Sequence, residues 1–373
     1  VKTLKYLPGL LASVAGIWLM TFPAQAGIPL TNLGSLGGDY SSALAINDHG
    51  VIVGFSRASD GTLHAFLYQN GLMSKLDVLP VDQNIASAID DAGRIVGNRL
   101  SNAVTNEFGV SYQNQAVLFH RGSLITLEPG TNNSGASGIN NRGQIVGGYT
   151  TPGGASHAFL YQRGLTTDLG TLGGDISGAA GINQRGEIVG SSYIAPGSLA
   201  YHPFLYGHGL MRDLGTLGGS YGAANAINDL GEIVGFSSTV SNLEIHPFLY
   251  HHGHMQDLGT LGGTQIFHGA YSIDDVASGI NNWGQVVGQA STTNLDSHAF
   301  LYSDGKMTDL NRLVTLTTTN GPAGFLSLGT ANGINDWGQI VGAGSYWDGT
   351  QVVFRAFLMQ VHLECRPSQP DEF

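Results

Sequence analysis

The feature that most limits what this chain can become is a repeat. A core of the form Ile-(Asn/Asp)-x-x-Gly-x-(Ile/Val)-Val-Gly begins at Ile46, Ile89, Ile139, Ile182, Ile227, Ile280 and Ile334, seven copies. A second element, at its fullest His-Ala-Phe-Leu-Tyr, follows each core at 64–68, 115–119, 157–161, 202–206, 246–250, 298–302 and 355–359. A third, close to Asp-Leu-Gly-Thr-Leu-Gly-Gly, starts at Asp168, Asp213 and Asp257, with weaker versions from Leu76, Leu127 and Asp309. Self-similarity at a period of about 40 to 50 residues, with several short strands per period, is the mark of a propeller blade; leucine-rich and ankyrin units are shorter and contain helices.

Each unit reads as four strands, A to D: A ends at the Ile-Asn pair, B is the Ile-Val-Gly run, C the His-Ala-Phe-Leu-Tyr run and D the Asp-Leu-Gly-Thr segment. Asn followed by Gly between A and B suits a tight turn, because Asn bonds its neighbouring backbone and Gly accepts positive φ. Strands B and C are apolar on both faces, so each sheet is to be packed between neighbours. The segment 30–38 is a strand D with no A, B or C before it, while the last unit stops after its strand C at Met359. A linear solenoid would need polar caps at both ends. The reading is therefore an all-β, seven-bladed β-propeller of four-stranded blades over 27–361, closed by the N-terminal strand completing the last blade, with 362–373 a short C-terminal tail.

These three motifs, taken together over nearly the whole of 30–361, resemble the HAF-repeat family of bacterial extracellular proteins, named for the His-Ala-Phe triplet. The resemblance implies export and a repeat architecture; the family is known mainly as that repeat pattern.

Lys2 and Lys5 precede an uncharged apolar run that ends at Ala24-Gln25-Ala26. Such a pattern is a secretory signal peptide, too short for the roughly 18 to 20 apolar residues of a spanning helix, and cleavage is expected near Ala26. The product is expected to be secreted, extracellular or periplasmic, without a transmembrane segment and monomeric. Cys365 is the only cysteine, so no internal disulfide framework accompanies export. A net charge of −12 argues against nucleic acid as a partner, since that affinity comes from Lys and Arg on phosphates.

Loop lengths point to the side of the ring where a ligand would sit. The distance from the opening Ile to the Val before the last Gly is seven positions in all copies, and from the third residue of strand C to the Leu of strand D it is ten. The A–B and C–D turns, which share one face, are thus constant. The opposite face varies: its B–C loop is long in the second unit, between Asn98 and Gln115, and D–A connections swell at 264–278 and 311–332. Insertions confined to one face often mark the binding surface. With the last B–C loop they hold the candidate ligand-binding residues: Glu107, Phe108 and Tyr112; Phe267, His268, Tyr271, Asp274 and Asp275; and, in that last B–C loop, Tyr346, Trp347 and Asp348. Rings flanked by carboxylates stack on sugars and bond hydroxyls, which favours a non-enzymatic binding or scaffold role toward an extracellular polysaccharide or protein ligand. The alternatives are rings that merely plug the channel mouth, a glycan-acting hydrolase or lyase using Glu107, Asp274 or Asp348, and a protein-interaction surface at Trp283 and Trp337 on the constant face.

No catalytic residue, cofactor or metal is assigned. The repeated histidines His64, His157, His202, His246 and His298 occupy equivalent sites in different blades, too far apart for one zinc, and are expected to bond within their own blades. His251, His252 and His254 are denser but lack a carboxylate or thiol at ligand spacing. Gly218-Gly219-Ser220-Tyr221-Gly222 matches G-x-S-x-G but falls in a D–A connection and not between a strand and a helix.

Overall fold

The computed structural model describes residues 28–361 except 77–82, 107–108, 128–132, 241, 243 and 265–274, with 101–113 described by backbone alone. The signal peptide and the tail read from the sequence lie outside these residues. Among the described residues the chain is β throughout apart from one 3-10 turn, Leu310–Arg312, and no helix is long and apolar enough to cross a membrane.

The strands form antiparallel four-stranded sheets in the order A-B-C-D. The third unit is typical, with Ser134–Ile139, Ile145–Thr150, Ser156–Gln162 and Leu165–Asp168 side by side. The strand Leu30–Asn32 pairs antiparallel with Val352–Gln360, where Asn32 faces Phe357 as Asp168 faces Phe159. Strands A converge on a channel of about 230 Å³, to which every unit contributes: Leu44, Ala88, Gly138, Gly181, Ala226, Gly279 and Gly333. Four-stranded sheets set radially around a channel are a β-propeller.

The motif residues make these sheets stack. A Cβ on Gly147 would lie 1.9 Å from the Gly135 carbonyl oxygen and 3.0 Å from the Phe159 ring, so only glycine lets strand A bulge against B beneath that phenylalanine. Ala158, next to Phe159, has no exposed surface; its N–H donates to the Ser177 hydroxyl of the following sheet (2.9 Å), and its carbonyl accepts from Leu169 N (2.9 Å). The cores lie between sheets. Val146, Ala158 and Leu169 of the third pack with Ala179, Ile188 and Phe204 of the fourth. Full burial of a ring such as Phe204 stabilises by about 1.5–3 kcal/mol.

The turn asparagine couples one sheet to the next. Asn183 Oδ1 accepts from Arg185 N (3.1 Å) and Glu187 N (3.0 Å), closing its own A–B turn, while its Nδ2 donates to the Asn228 carbonyl of the neighbouring turn (3.1 Å). Asn140, Asn228, Asn281, Asn335 and Asn47 repeat the clasp, and Asn335 Nδ2 reaches the Asn47 carbonyl at 3.0 Å. Asp90 has no amide to donate. Arg94 substitutes, with Nε 2.6 Å from Asp90 Oδ2 and Nη2 donating to the Asn141 carbonyl at 2.9 Å.

Two of the insertions read as loops are ordered otherwise. In the second unit, Ile95–Asn106 and Gly109–His120 continue as a paired hairpin, Leu100 opposite Asn114 and Thr105 opposite Val110. Both arms are long enough for the ladder to satisfy their backbone groups, which an open loop would leave to water. In the 311–332 connection, Leu313, Val314 and Leu316 pack onto the core of the last sheet, and Asn311 bonds Leu328 through both its amide atoms.

Candidate functional site

Of the residues expected to face a ligand, Glu107, Phe108, Phe267, His268, Tyr271 and Asp274 lie outside the described residues, and Tyr112 is placed by backbone alone in Gly109–His120. Asp275 is 1% exposed, and its carboxylate accepts from Ser291 N (2.5 Å) and the Ser291 hydroxyl (2.8 and 2.9 Å). It braces strands A and B of the sixth unit. Tyr346, Trp347 and Asp348 do come together, at the B–C hairpin of the last sheet. Asp348 closes that hairpin, accepting from Gln351 N, the Thr350 hydroxyl and Thr350 N at 2.7–2.8 Å; these bonds hold its carboxyl below the usual carboxylate range. Tyr346 packs edge-on against Phe325, centroids 5.1 Å apart.

Beside that hairpin the last sheet meets the first. The Tyr40 ring stacks on Phe55 (5.7 Å, 13°) on one side and tilts onto Phe354 (5.6 Å, 33°) on the other, and Phe354 is 49% exposed. Tyr40 and Phe354 are parallel-bridge partners across the seam. Asp39 pairs with Arg57 at 2.9 Å, and Arg355, whose guanidinium is partly desolvated, lies in the field of Asp348, Asp39 and Tyr346. The result is a three-ring platform with two carboxylates and two guanidiniums around it. Aromatic surface with a few fixed polar groups is the usual make-up of a small-molecule site. A second ring triple, Tyr193, Tyr201 and Tyr221, spans the seam between the fourth and fifth sheets.

The opposite rim is more regular. The residue after each turn Asn accepts from the equivalent backbone N–H of the preceding turn, and these bonds run from Asp48 through Asp91, Asn141, Gln184, Asp229, Asn282 and Asp336 to Asp48 again, at 2.8–3.1 Å. They surround a polar mouth of about 310 Å³, floored by the isoleucines that open each core motif. Four carboxylates, Asp48, Asp91, Asp229 and Asp336, stand on it. In the sequence they occupy an "x" of the motif, where only Asp91 stands out, as part of a pair with Asp90 that reads as structural; the recurrence of Asp at that position is the signal for the other three.

The motif histidines bond inside their own sheets. His157, His202, His246 and His298 place Nδ1 2.8–2.9 Å from Asp168, Asp213, Asp257 and Asp309 of strand D. His64 meets Lys75 where that aspartate is missing, and also Thr62. In the denser cluster, the His251 and His252 rings lie 3.8 Å apart, tilted by 54°, and Glu232, absent from the sequence reading of this cluster, comes within 3.5 Å of His251. Ser220 of the G-x-S-x-G match accepts from Asn242 Nδ2 at 3.2 Å.

Residues 216–353 match the model of a family described as a protein of unknown function, DUF3466. No curated protein matches the chain in sequence. Among solved structures, the β-propeller domain of the Trilobed protease from Pyrococcus furiosus, described as having an open velcro topology, is similar at 10% identity. It covers 87% of this chain and 99% of its own, with a TM-score of 0.48. Pyrococcus horikoshii acylaminoacyl peptidase is similar at 11% identity over 74% of this chain, TM-score 0.47, and TolB from Acinetobacter baumannii at 12% over 87%, TM-score 0.40. The chain spans 45% of that peptidase and 65% of that TolB.

Proposed function

We propose that this is an exported HAF-repeat protein, a closed propeller of seven blades, which acts as a non-enzymatic binding or scaffold module and takes an extracellular polysaccharide on its variable rim. The observation that carries the binding reading is the Phe354–Tyr40–Phe55 row of rings, half-buried except for the exposed Phe354, with Asp39, Arg57 and Arg355 around it. Ring faces stack on the apolar faces of pyranoses while the charged groups bond hydroxyls. Closure is supported by the pairing of Leu30–Asn32 with Val352–Gln360 and by the bonds from the last turn to the first, Asn335 to Asn47 and Asp336 to Asp48. A non-enzymatic role is favoured because the repeated polar side chains are engaged in holding sheets together, and Asp348, one of the carboxylates considered for hydrolysis, is bonded to its own turn.

The test is retention of the secreted protein on a panel of immobilised bacterial polysaccharides. Wild type should be retained by at least one, and Phe354→Ala and Trp347→Ala should lower retention at least about fivefold, since a lost stacking ring typically removes about 1 kcal/mol or more. Equal retention of all three proteins, or none by wild type, rejects the glycan reading.

A further inference from the structure

On the constant rim, Trp283 and Trp337 rise from consecutive A–B turns. Each indole Nε1 donates to a main-chain carbonyl of the following turn, Trp283 to Asp336 O and Trp337 to Asp48 O, both at 2.9 Å. Those bonds lay the indoles across the seams, yet the residues stay 48% and 64% exposed. A cleft of about 350 Å³ lies between them, walled by Asn282, Trp283, Asp336 and Trp337. Isolated exposed apolar residues need no explanation, but two fixed indoles walling one cleft form a recognition surface.

The charge around the cleft selects what it takes. Asn282 and Asp336 line both this cleft and the channel mouth. Asp336, Asp48 and Asp91 are consecutive in the hydrogen-bonded ring, with no amide between them, whereas Asp229 stands between Gln184 and Asn282. Burial first, and then Asp336 and Asp91, push the Asp48 carboxyl above its ordinary range, a sign of negative charge crowded on this side. The arginines at the turn position of the tryptophans, Arg142 and Arg185, belong to the third and fourth units, away from this seam. A second copy of a chain with net charge −12 would bring more of the same sign, and a neutral ligand would bring no counter-charge to three carboxylates beside which His49 stands, 3.8 Å from Asp91 and charged only when protonated.

We propose that the Trp283–Trp337 cleft binds the ammonium group of a lysine side chain presented by a basic partner protein, the indoles flanking its methylene stem and Asp336 with Asp48 supplying the counter-charge. Indole faces attract ammonium through the ring quadrupole, and the lysine stem is apolar enough to pack between rings. The site is on the other rim from the glycan platform, so the two readings stand or fall separately.

The probe is a fluorescent tetralysine peptide, followed by anisotropy at low ionic strength, with its Nε-acetylated form as a control that needs no variant. Wild type should bind tetralysine at least about tenfold more tightly than the acetylated peptide. Trp283→Ala with Trp337→Ala should weaken tetralysine binding by a similar factor. Asp336→Asn, which keeps an oxygen to accept from Asn282 N but gives up the acceptor of Asn282 Nδ2 (2.8 Å), should weaken it severalfold with the circular dichroism spectrum preserved. No binding by wild type, equal binding of the acetylated peptide, or undiminished binding by the folded double tryptophan variant would overturn the proposal; the last would reduce the interaction to general attraction by an acidic rim.

Discussion

Single residues in this chain carry two jobs at once, and that double use makes their replacement costly. Gly190 is both a strand residue and the only kind that fits, since a Cβ there would lie 2.0 Å from the Gly178 carbonyl oxygen. Gly190→Ala should lower unfolding stability by about 3 kcal/mol, read as a shift of the urea midpoint at constant slope. His246 behaves as an ion-pair partner of Asp257. His246 is held above its ordinary range, chiefly by its hydrogen bond to Asp257, against burial; Asp257 feels burial too but is held below its own range by His246 and the Gly259 N–H. The histidine's contribution is therefore complete below its unfolded value of 6.5 and fades as pH rises through the higher folded value. The aspartate's is complete above its unfolded value of 3.8 and fades as pH falls through its lower folded value. Asp257→Asn should cost most near pH 5 to 6, about 1 kcal/mol for a partly exposed pair, and less toward both pH 2 and pH 9. Urea denaturation of both proteins across that range measures it, and a flat difference would show that the pair contributes no linked charge.

At the scale of the element, the A–B turn is the joint. Its asparagine satisfies its own turn and clasps the next, so Asn183→Ala leaves the Asn228 carbonyl and two turn N–H groups without that partner. A loss of about 2–3 kcal/mol is expected in urea denaturation. Asp90 with Arg94 is the one rebuilt joint. Arg94→Gln alone should cost about 1–2 kcal/mol, and adding Asp90→Asn, which restores the common clasp, should return part of it. The same scale shows why insertion length was a poor guide to a site. The long second-unit insertion is paired strand, and part of 311–332 is core packing; length reveals that residues are present, while only pairing and burial reveal how they are used.

For the whole molecule, the decisive contact is between its ends. Thr31 lies opposite Leu358, and cysteines at these two positions, with Cys365→Ser, should form a disulfide in the folded protein and raise its stability by up to about 4–5 kcal/mol through the long loop closed. Failure to form that bond in native protein would mean that the leading strand does not sit on the last sheet. Asn335→Ala gives an independent reading. In a ring under mutual support it should cost as much as Asn183→Ala, whereas at an open seam it should cost clearly less.

The repeat alone determined the four-stranded unit, the turn that joins A to B, the order of strands and the local bonding of the histidines. Each of these depends on residues close together in the sequence or at equal places in neighbouring copies, and periodicity exposes such relations. The sites were legible only in part. Tyr346, Trp347 and Asp348 could be grouped from the sequence because they share one hairpin, but Tyr40 and Phe354, which form the platform beside them, come from opposite ends of the chain. The run of three adjacent carboxylates on the mouth exists because the last turn meets the first two, and Asp275 turned inward because its neighbour across the sheet is a serine that can hold it. Which side chains meet across a seam, and whether a carboxylate faces water or a bond, depends on the packing of sheets far apart in the chain, and that only the tertiary structure decided.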